Sequence, residues 1–413
     1  MRSSASKDMS PLNDHHIGSY QKKVMFSTAA GFGLENMDIM FLSFTLSSII
    51  ATLGISSTAA GFISSITNLG MLIGGLFFGI LADKYGRVRV FTYTIWIFAI
   101  ATSLMFFAKN IYMIYALRFL AGIGAGGEYG SGMALIAESF PKRMVARISS
   151  ISAVGGQVGA ILAALLAAVI LPHFSWHALY LFGLLPVILI FFIRRHLDES
   201  PEFKALQASP QQHVKSGSLK ILFATPSQAW QTVALTIMVM VQIAGYFGLM
   251  NWLPSIMQNR LGLTTSSSSL WMIATIIGMS FGMMTFGTVM DRFGARRAFT
   301  IFLVAAAISV YVLTLATNKW ELLGAQVLVG FFSNGMYGGY GAIFGFLYPT
   351  EVRATASNAI MNFGRAVGGF SSVLIGFLMD HYTLVIVMGF LSTAYMVSLI
   401  VMLSIPKLKT KKV

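Results

Sequence analysis

The chain has 413 residues, of which 56% are hydrophobic and only 10% charged, with a formal net charge of +14 and no cysteine. A soluble globular protein is about a quarter charged, so this chain has too little polar surface to be soluble, and without cysteine it forms neither disulfides nor thiolate metal sites. Apolar runs of about 20 residues, the length that crosses a bilayer core of about 30 Å, recur throughout and predict an all-α polytopic membrane protein.

In chain order, residues 1–23 are polar and basic, with no short apolar run ending at a small-residue cleavage site. The first hydrophobic helix is therefore expected to insert and stay. Twelve transmembrane helices are predicted, at 24–50, 57–82, 89–108, 111–138, 145–171, 175–193, 229–257, 266–290, 298–317, 320–347, 354–379 and 382–405. The longest polar interruption, 194–228, contains Asp198-Glu-Ser-Pro-Glu-Phe203. It divides the chain into a tail (1–23), a six-helix half (24–193), a central loop (194–228), a second six-helix half (229–405) and a tail (406–413).

All but five of the 28 Lys and Arg fall on one side of this topology. The exceptions are Lys109, Arg260 and Lys319 on the other side, and Arg118 and Arg365 within spans. The positive-inside rule then places both termini and the central loop in the cytoplasm. The basic balance reads as topology and anionic-lipid contact, not as a nucleic-acid footprint, because no basic patch is interleaved with aromatics.

The two halves repeat. Gly79-Ile-Leu-Ala-Asp83-Lys-Tyr-Gly86-Arg87-Val-Arg89 returns as Gly287-Thr-Val-Met-Asp291-Arg-Phe-Gly294-Ala-Arg-Arg297, 208 residues later. The same offset pairs Gly122 with Gly330, Tyr129 with Tyr337, Pro141 with Pro349 and Gly156 with Gly364. Two halves in one orientation form a parallel pseudo-symmetric repeat, with the substrate site expected between them near the midplane.

Gly79 to Arg89 and its copy resemble the loop between the second and third helices in the major facilitator superfamily, and the resemblance covers essentially the whole chain. It implies the twelve-helix major facilitator fold. It also implies that Asp83, Arg87, Asp291 and Arg297 latch helices together at the cytoplasmic face. Ala295 stands where the first copy has Arg87, so the second latch is expected to be weaker. Arg118 to Gly130, Glu138-Ser-Phe-Pro141, Asp198-Glu-Ser-Pro201, Trp252-Leu-Pro254 and Tyr348-Pro-Thr-Glu-Val-Arg353 are similar to a narrower branch, the metabolite–proton symporters for aromatic acids and sialic acid. That resemblance implies an inner-membrane monomer importing an organic carboxylate with protons, in the context of aromatic catabolism. The substrate would be an aromatic-derived acid or a dicarboxylate such as cis,cis-muconate. A sialic-acid or monocarboxylate symporter and a proton-coupled efflux antiporter are the alternatives.

An ionisable residue inside a span is a functional-site hypothesis by default. Span one carries Glu35 and Asp38, span four Arg118 and Glu128, span eleven Arg365. One reading is a buried ion-pair network that only fixes helix packing, with the span-one acids as partners of Arg118. The second half has no obvious acid at the depth of Arg365, whose planar fork is then suited to a substrate carboxylate. At the repeat offset Arg118 maps to Gln326 and Arg365 to Gln157. Arg118, Gln157, Gln326 and Arg365 are thus expected to offer donors from both halves, with Tyr246 and Tyr337 as aromatic lining beside Phe247, Trp252 and Tyr340.

Asp38, Glu35 and Glu128 are the candidate proton carriers. Desolvation favours a neutral carboxyl and a nearby arginine favours a charged one, so an anion competing for the arginine couples to proton uptake. Asp38 is preferred because the family's first-span aspartate aligns there, although Glu35-Asn-Met-Asp38 departs from the usual Asp-Gly-x-Asp. The glycines at four-residue spacing, Gly70 and Gly74, and Gly122, Gly126 and Gly130, are expected to let helices approach closely. Gly122-x-Gly124-x-x-Gly127 matches a dinucleotide fingerprint in spacing only, since no strand precedes it. No metal-ligand cluster, cofactor motif or nucleophile–base pair stands in a plausible context, so an enzyme is not expected.

Overall fold

A computed structural model describes residues 17–55, 57–208, 219–262, 265–371, 374–375, 378 and 381–408. Most of the expected N-terminal tail, residues 209–218 of the central loop and the last five residues lie outside it, as does the side chain of Trp252. No strand occurs among the described residues.

The first half comprises α1 (Ser19–Leu53), α2 (Ser57–Tyr85), α3 (Arg87–Leu104), α4 (Ile111–Gly126), α5 (Glu128–Ser139), α6 (Lys142–Ile170), α7 (Trp176–Tyr180) and α8 (Leu185–His196). The central loop adds α9 (Pro201–Gln207) and α10 (Leu219–Leu222). The second half comprises α11 (Pro226–Leu261), α12 (Thr265–Phe293), α13 (Ala295–Ser309), α14 (Val312–Leu315), α15 (Lys319–Gly335), α16 (Tyr337–Leu347), α17 (Arg353–Gly368) and α18 (Leu384–Leu403). Each predicted span is mainly helical in its described part, span nine with a turn at Val310–Tyr311. Among the described residues, eight helices, at spans two, three, five to nine and twelve, are long and apolar enough to cross a bilayer by length and composition.

The departures from single straight spans have local causes. Span six is interrupted by a 3-10 turn at Leu181–Leu184, just before Pro186, whose missing N–H and ring disfavour a continuous α-helix. Spans four and ten are each broken once, at Gly127 and at Met336, one residue apart in repeat register. Helix α1 starts earlier than predicted because its first turn docks on the loops below. Tyr20 donates to the carbonyl of Asp198 at 3.0 Å, and Gln21 to that of Ser139 at 2.9 Å.

Close approach inside the first half follows the glycine pattern. A side chain at Gly74 or Gly126 would run into the backbone of the facing helix, as α2 and α4 pack against each other. Gly130 is different: it faces Asn358 of the second half.

The halves meet through α2 against α17 and α6 against α12. On the face bearing the basic loops, Asp83 accepts the backbone N–H groups of Ala354 (3.1 Å) and Thr355 (2.8 Å). Its copy Asp291 accepts those of Ala146 (3.2 Å) and Arg147 (3.0 Å). The two sets of donors differ by the same 208 residues as the two aspartates. Each half thus caps the amino end of a long helix of the other, the placement a helix dipole favours.

The first latch is reinforced and the second is not. Arg87 pairs with Asp83 and Glu138, both at 3.0 Å, and donates to the carbonyl of Thr350 across the seam. Arg353 pairs with Glu138 at 3.4 Å and Glu202 of α9 at 3.0 Å. Ser200 also bonds Glu138, so the central loop is stitched into this network. Arg297, expected beside Asp291, is exposed instead; among the described residues Asp291 has only a long ion pair, at 4.0 Å, with the half-exposed Arg147 of the first half.

Candidate functional site

Two acids one turn apart on α1 organise the buried polar interior. Asp38 holds Arg118 of α4 by two parallel bonds, Nη1–Oδ1 and Nη2–Oδ2, both 2.9 Å. Thr102 of α3 donates to the same carboxylate at 2.8 Å. Arg118 is 1% exposed and Asp38 5%, so the pair is sealed, and every member lies in the first half. Matching a planar guanidinium to a carboxylate by two bonds is the strongest form of such a pair.

Glu35 faces the other way. Its Oε1 accepts Arg365 Nη1 of α17 at 2.9 Å, across the seam between halves. Arg365 Nη2 donates to the Tyr337 hydroxyl at 3.1 Å. The guanidinium lies 5.9 Å from the ring centre of Tyr129, and the Tyr129 and Tyr337 rings are themselves 5.9 Å apart. The Arg365 side chain keeps 13% of its exposure, against 2% for Glu35.

Glu128 opens α5 immediately after the break in span four. It is fully buried, and neither carboxylate oxygen has a hydrogen-bond partner. The carboxylate lies against Gly31, one turn before Glu35 on α1, where any side chain would collide with it. Its charged neighbours are Glu35 and Arg365.

Helix α17 holds this arrangement in register. Asn358 Oδ1 accepts the N–H of Gly130 at 2.6 Å, and Asn362 Nδ2 donates to the carbonyl of Gly126 at 2.8 Å. One helix therefore carries the latch contact at Thr355, the two asparagines on the broken span, and Arg365.

Several sequence expectations change here. Arg365 does have a carboxylate partner, supplied by the first half, where the sequence shows none in the second. Asp38, the preferred proton carrier, has both oxygens engaged by Arg118 and Thr102. The four-donor set does not assemble. Gln157 is buried on α6 and makes no hydrogen bond to either arginine, while Gln326 accepts Thr275 at 3.3 Å and leaves its Nε2 without a partner. Each arginine is held instead by its own acid, Arg118 by Asp38 and Arg365 by Glu35. Tyr246 packs on Phe247, with ring centres 5.4 Å apart. Tyr129, Asn358 and Asn362 were not singled out as site residues, although Tyr129 is the repeat partner of Tyr337. The asparagines share a face with Thr355 and Arg365, a polar stripe on an apolar span that was there to be read.

The fold agrees with what the chain is similar to. The Major Facilitator Superfamily description matches residues 28–285 and 235–413. A Haemophilus influenzae protein, whose name places it in metabolite transport without a substrate, is 38% identical across 96% of this chain and 98% of its own. The cis,cis-muconate transport protein of Acinetobacter baylyi is 28% identical across 88% of this chain and 89% of its own. Among solved structures, the proton:xylose symporter XylE superposes with a TM-score of 0.80 at 16% identity, over 94% of this chain and 96% of that one.

Proposed function

The chain belongs to the Major Facilitator Superfamily, and we propose that this multi-pass membrane transporter imports an organic carboxylate together with protons across the inner membrane, with both termini cytoplasmic. The observation that carries the reading is the Arg365–Glu35 pair. It is a guanidinium already gripping a carboxylate, at the seam, with residual access. The Arg118–Asp38 pair lies within one half and survives any rocking of the halves. The Arg365–Glu35 pair spans both and must yield when they separate.

Substrate entry and proton uptake then form one event. An incoming carboxylate displaces Glu35 from its single bond to Arg365 Nη1 and can engage the guanidinium by two parallel bonds. Glu35 is left buried without its cation, one turn from the unpartnered Glu128. A buried carboxylate that loses its pair is strongly destabilised unless neutralised, so the site takes up a proton as it takes up the anion. Glu35 and Glu128 are the groups that share it. Tyr129 and Tyr337 offer faces and hydroxyls to an unsaturated or aromatic acid. With the latched face cytoplasmic, substrate is expected to reach this arrangement from outside. The muconate relative supports a dicarboxylate as the first compound to try.

Calorimetric titration of purified protein with cis,cis-muconate and a panel of aromatic-derived acids tests the site. Arg365→Ala is expected to weaken the best ligand by about 30-fold or more, the scale for truncating one partner of a buried charge pair. Unchanged affinity would remove Arg365 from the site.

A further inference from the structure

The repeat also fails away from the transport site, at the start of the third helix of each half. In the first half, Glu199 of the central loop accepts the N–H groups of Val88 (3.1 Å) and Arg89 (2.9 Å), capping the amino end of α3 with a carboxylate. Gly86, at φ 118°, leaves the space this carboxylate needs. The copy of that helix is α13, which follows Gly294 at φ 85°. At the 208-residue offset, Glu199 corresponds to Lys407, Arg87 to Ala295 and Glu138 to Phe346. The second half has the same backbone frame with its acids replaced by a lysine and a phenylalanine.

A cavity of about 540 Å³ lies at this position, and Lys142, Ala295, Phe346, Tyr348, Arg353 and Lys407 are among its walls. Three helices begin on it, since Lys142, Ala295 and Arg353 are the first residues of α6, α13 and α17. The ends of α6 and α17 are already met by Asp291 and Asp83, so it is the amino end of α13, which receives no carboxylate among the described residues, that adds positive potential to the three side-chain cations. Arg353 is 8% exposed, and its Nε has no partner in the protein. Its Nη1 is shared by Glu138 and Glu202. Lys142 and Lys407 pair with no acid among the described residues. The amides of Arg296 and Arg297, counterparts of those that Glu199 caps, receive no carboxylate among those residues either. The remaining wall is apolar.

We propose that this cavity binds an amphiphilic anion, with a phosphate or carboxylate head that takes the place Glu199 takes in the first half and an apolar body against Phe346 and Tyr348. Lys142 comes from the first half and the other wall residues from the second. A bound anion therefore bridges the seam on the latched face and supplies the reinforcement that the second latch lacks. The head group has two sources, an anionic lipid of the adjoining leaflet or a soluble organic anion. The site is separate from the Arg365 pair, and its test needs no transport.

The test is thermal unfolding of purified protein in neutral detergent, titrated with short-chain phosphatidic acid and, separately, inorganic phosphate. The same protein is then reconstituted in phosphatidylcholine vesicles with and without phosphatidylglycerol. Short-chain phosphatidic acid should raise the melting temperature saturably. Lys407→Glu restores the internal carboxylate, so it should melt higher than the parent without ligand and lose the response. Lys142→Ala should weaken binding about tenfold, the scale of one charge-assisted hydrogen bond. Stabilisation by phosphate as well would identify a soluble anion as sufficient, and a response confined to phosphatidic acid and phosphatidylglycerol would identify the lipid. Both outcomes support the site. No saturable response to any of them, or one unchanged in Lys407→Glu and Lys142→Ala, overturns it.

Discussion

Glu35 and Asp38 are three residues apart on one helix and have opposite fates. Asp38 is closed on both oxygens inside its own half, whereas Glu35 reaches across the seam to Arg365. Arg118→Ala leaves Asp38 buried without its cation, so a loss of about 3–5 kcal/mol in stability is expected. Replacing both members, Asp38→Asn with Arg118→Gln, should recover most of it. Thermal melts of the three proteins check this, and a single variant as stable as the parent would refute the structural role. Glu128 requires a different measurement, since Glu128→Gln keeps its volume and removes its proton. Accumulation driven by a pH gradient should vanish in that variant while exchange of substrate for substrate persists. Gradient-driven accumulation at the parental level would take the proton away from Glu128. At this scale the sequence showed which residues are ionic and roughly how deep they lie. Which acid meets which arginine depends on the rotation of α1 and on a partner more than 300 residues away, which spacing alone does not give.

At the scale of elements, α17 joins the latch to the site, with Thr355, Asn358, Asn362 and Arg365 along one face. The two aspartate caps hold it and α6 in place, each worth about 1 kcal/mol by analogy with helix caps. Asp83→Ala should open the latched face more than Asp291→Ala does, because only the first latch carries Arg87, Glu138 and the α9 contacts. The opening is measurable without background, since the chain has no cysteine. A Cβ on Gly345 would lie 2.6 Å from the Cβ of Ala137 across the seam, so a small separation of the two backbones brings the pair to the Cβ spacing of a disulfide, about 3.5–4.5 Å. The pair Ala137→Cys and Gly345→Cys should therefore cross-link readily in the parent and more slowly with Asp83→Ala. Equal cross-linking with and without Asp83 would show that the caps do not hold the gate. Helix positions were legible because apolar runs report them directly. The breaks at Gly127 and Met336 were not, because a glycine in an apolar run signals close packing and a kink equally well. Helix α9 was hidden in a polar stretch whose helicity depends on docking against Glu138 and Arg353.

For the whole molecule, the 208-residue offset was the most informative feature of the sequence. It anticipated the two-half fold, and the partners of Asp83 and Asp291 obey it to the residue. It also marks where the halves part company: Glu128 against Met336, Arg87 against Ala295, and Glu199 against Lys407. The shared glycines, prolines and aspartates build the fold, and these three exchanges of charged residues lie at the proposed transport site and at the cavity beside the second latch. The substrate was less legible than the fold, because a carboxylate is recognised by one guanidinium in any sequence context while its length is set by the shape between the halves. The most direct test of the account is uptake of labelled cis,cis-muconate and related carboxylates into proteoliposomes, with and without an inward proton gradient. The account predicts accumulation of at least one such acid only when the gradient is imposed, and its loss in Arg365→Ala. Uptake of these acids that ignores the gradient, or that persists in Arg365→Ala, would contradict it.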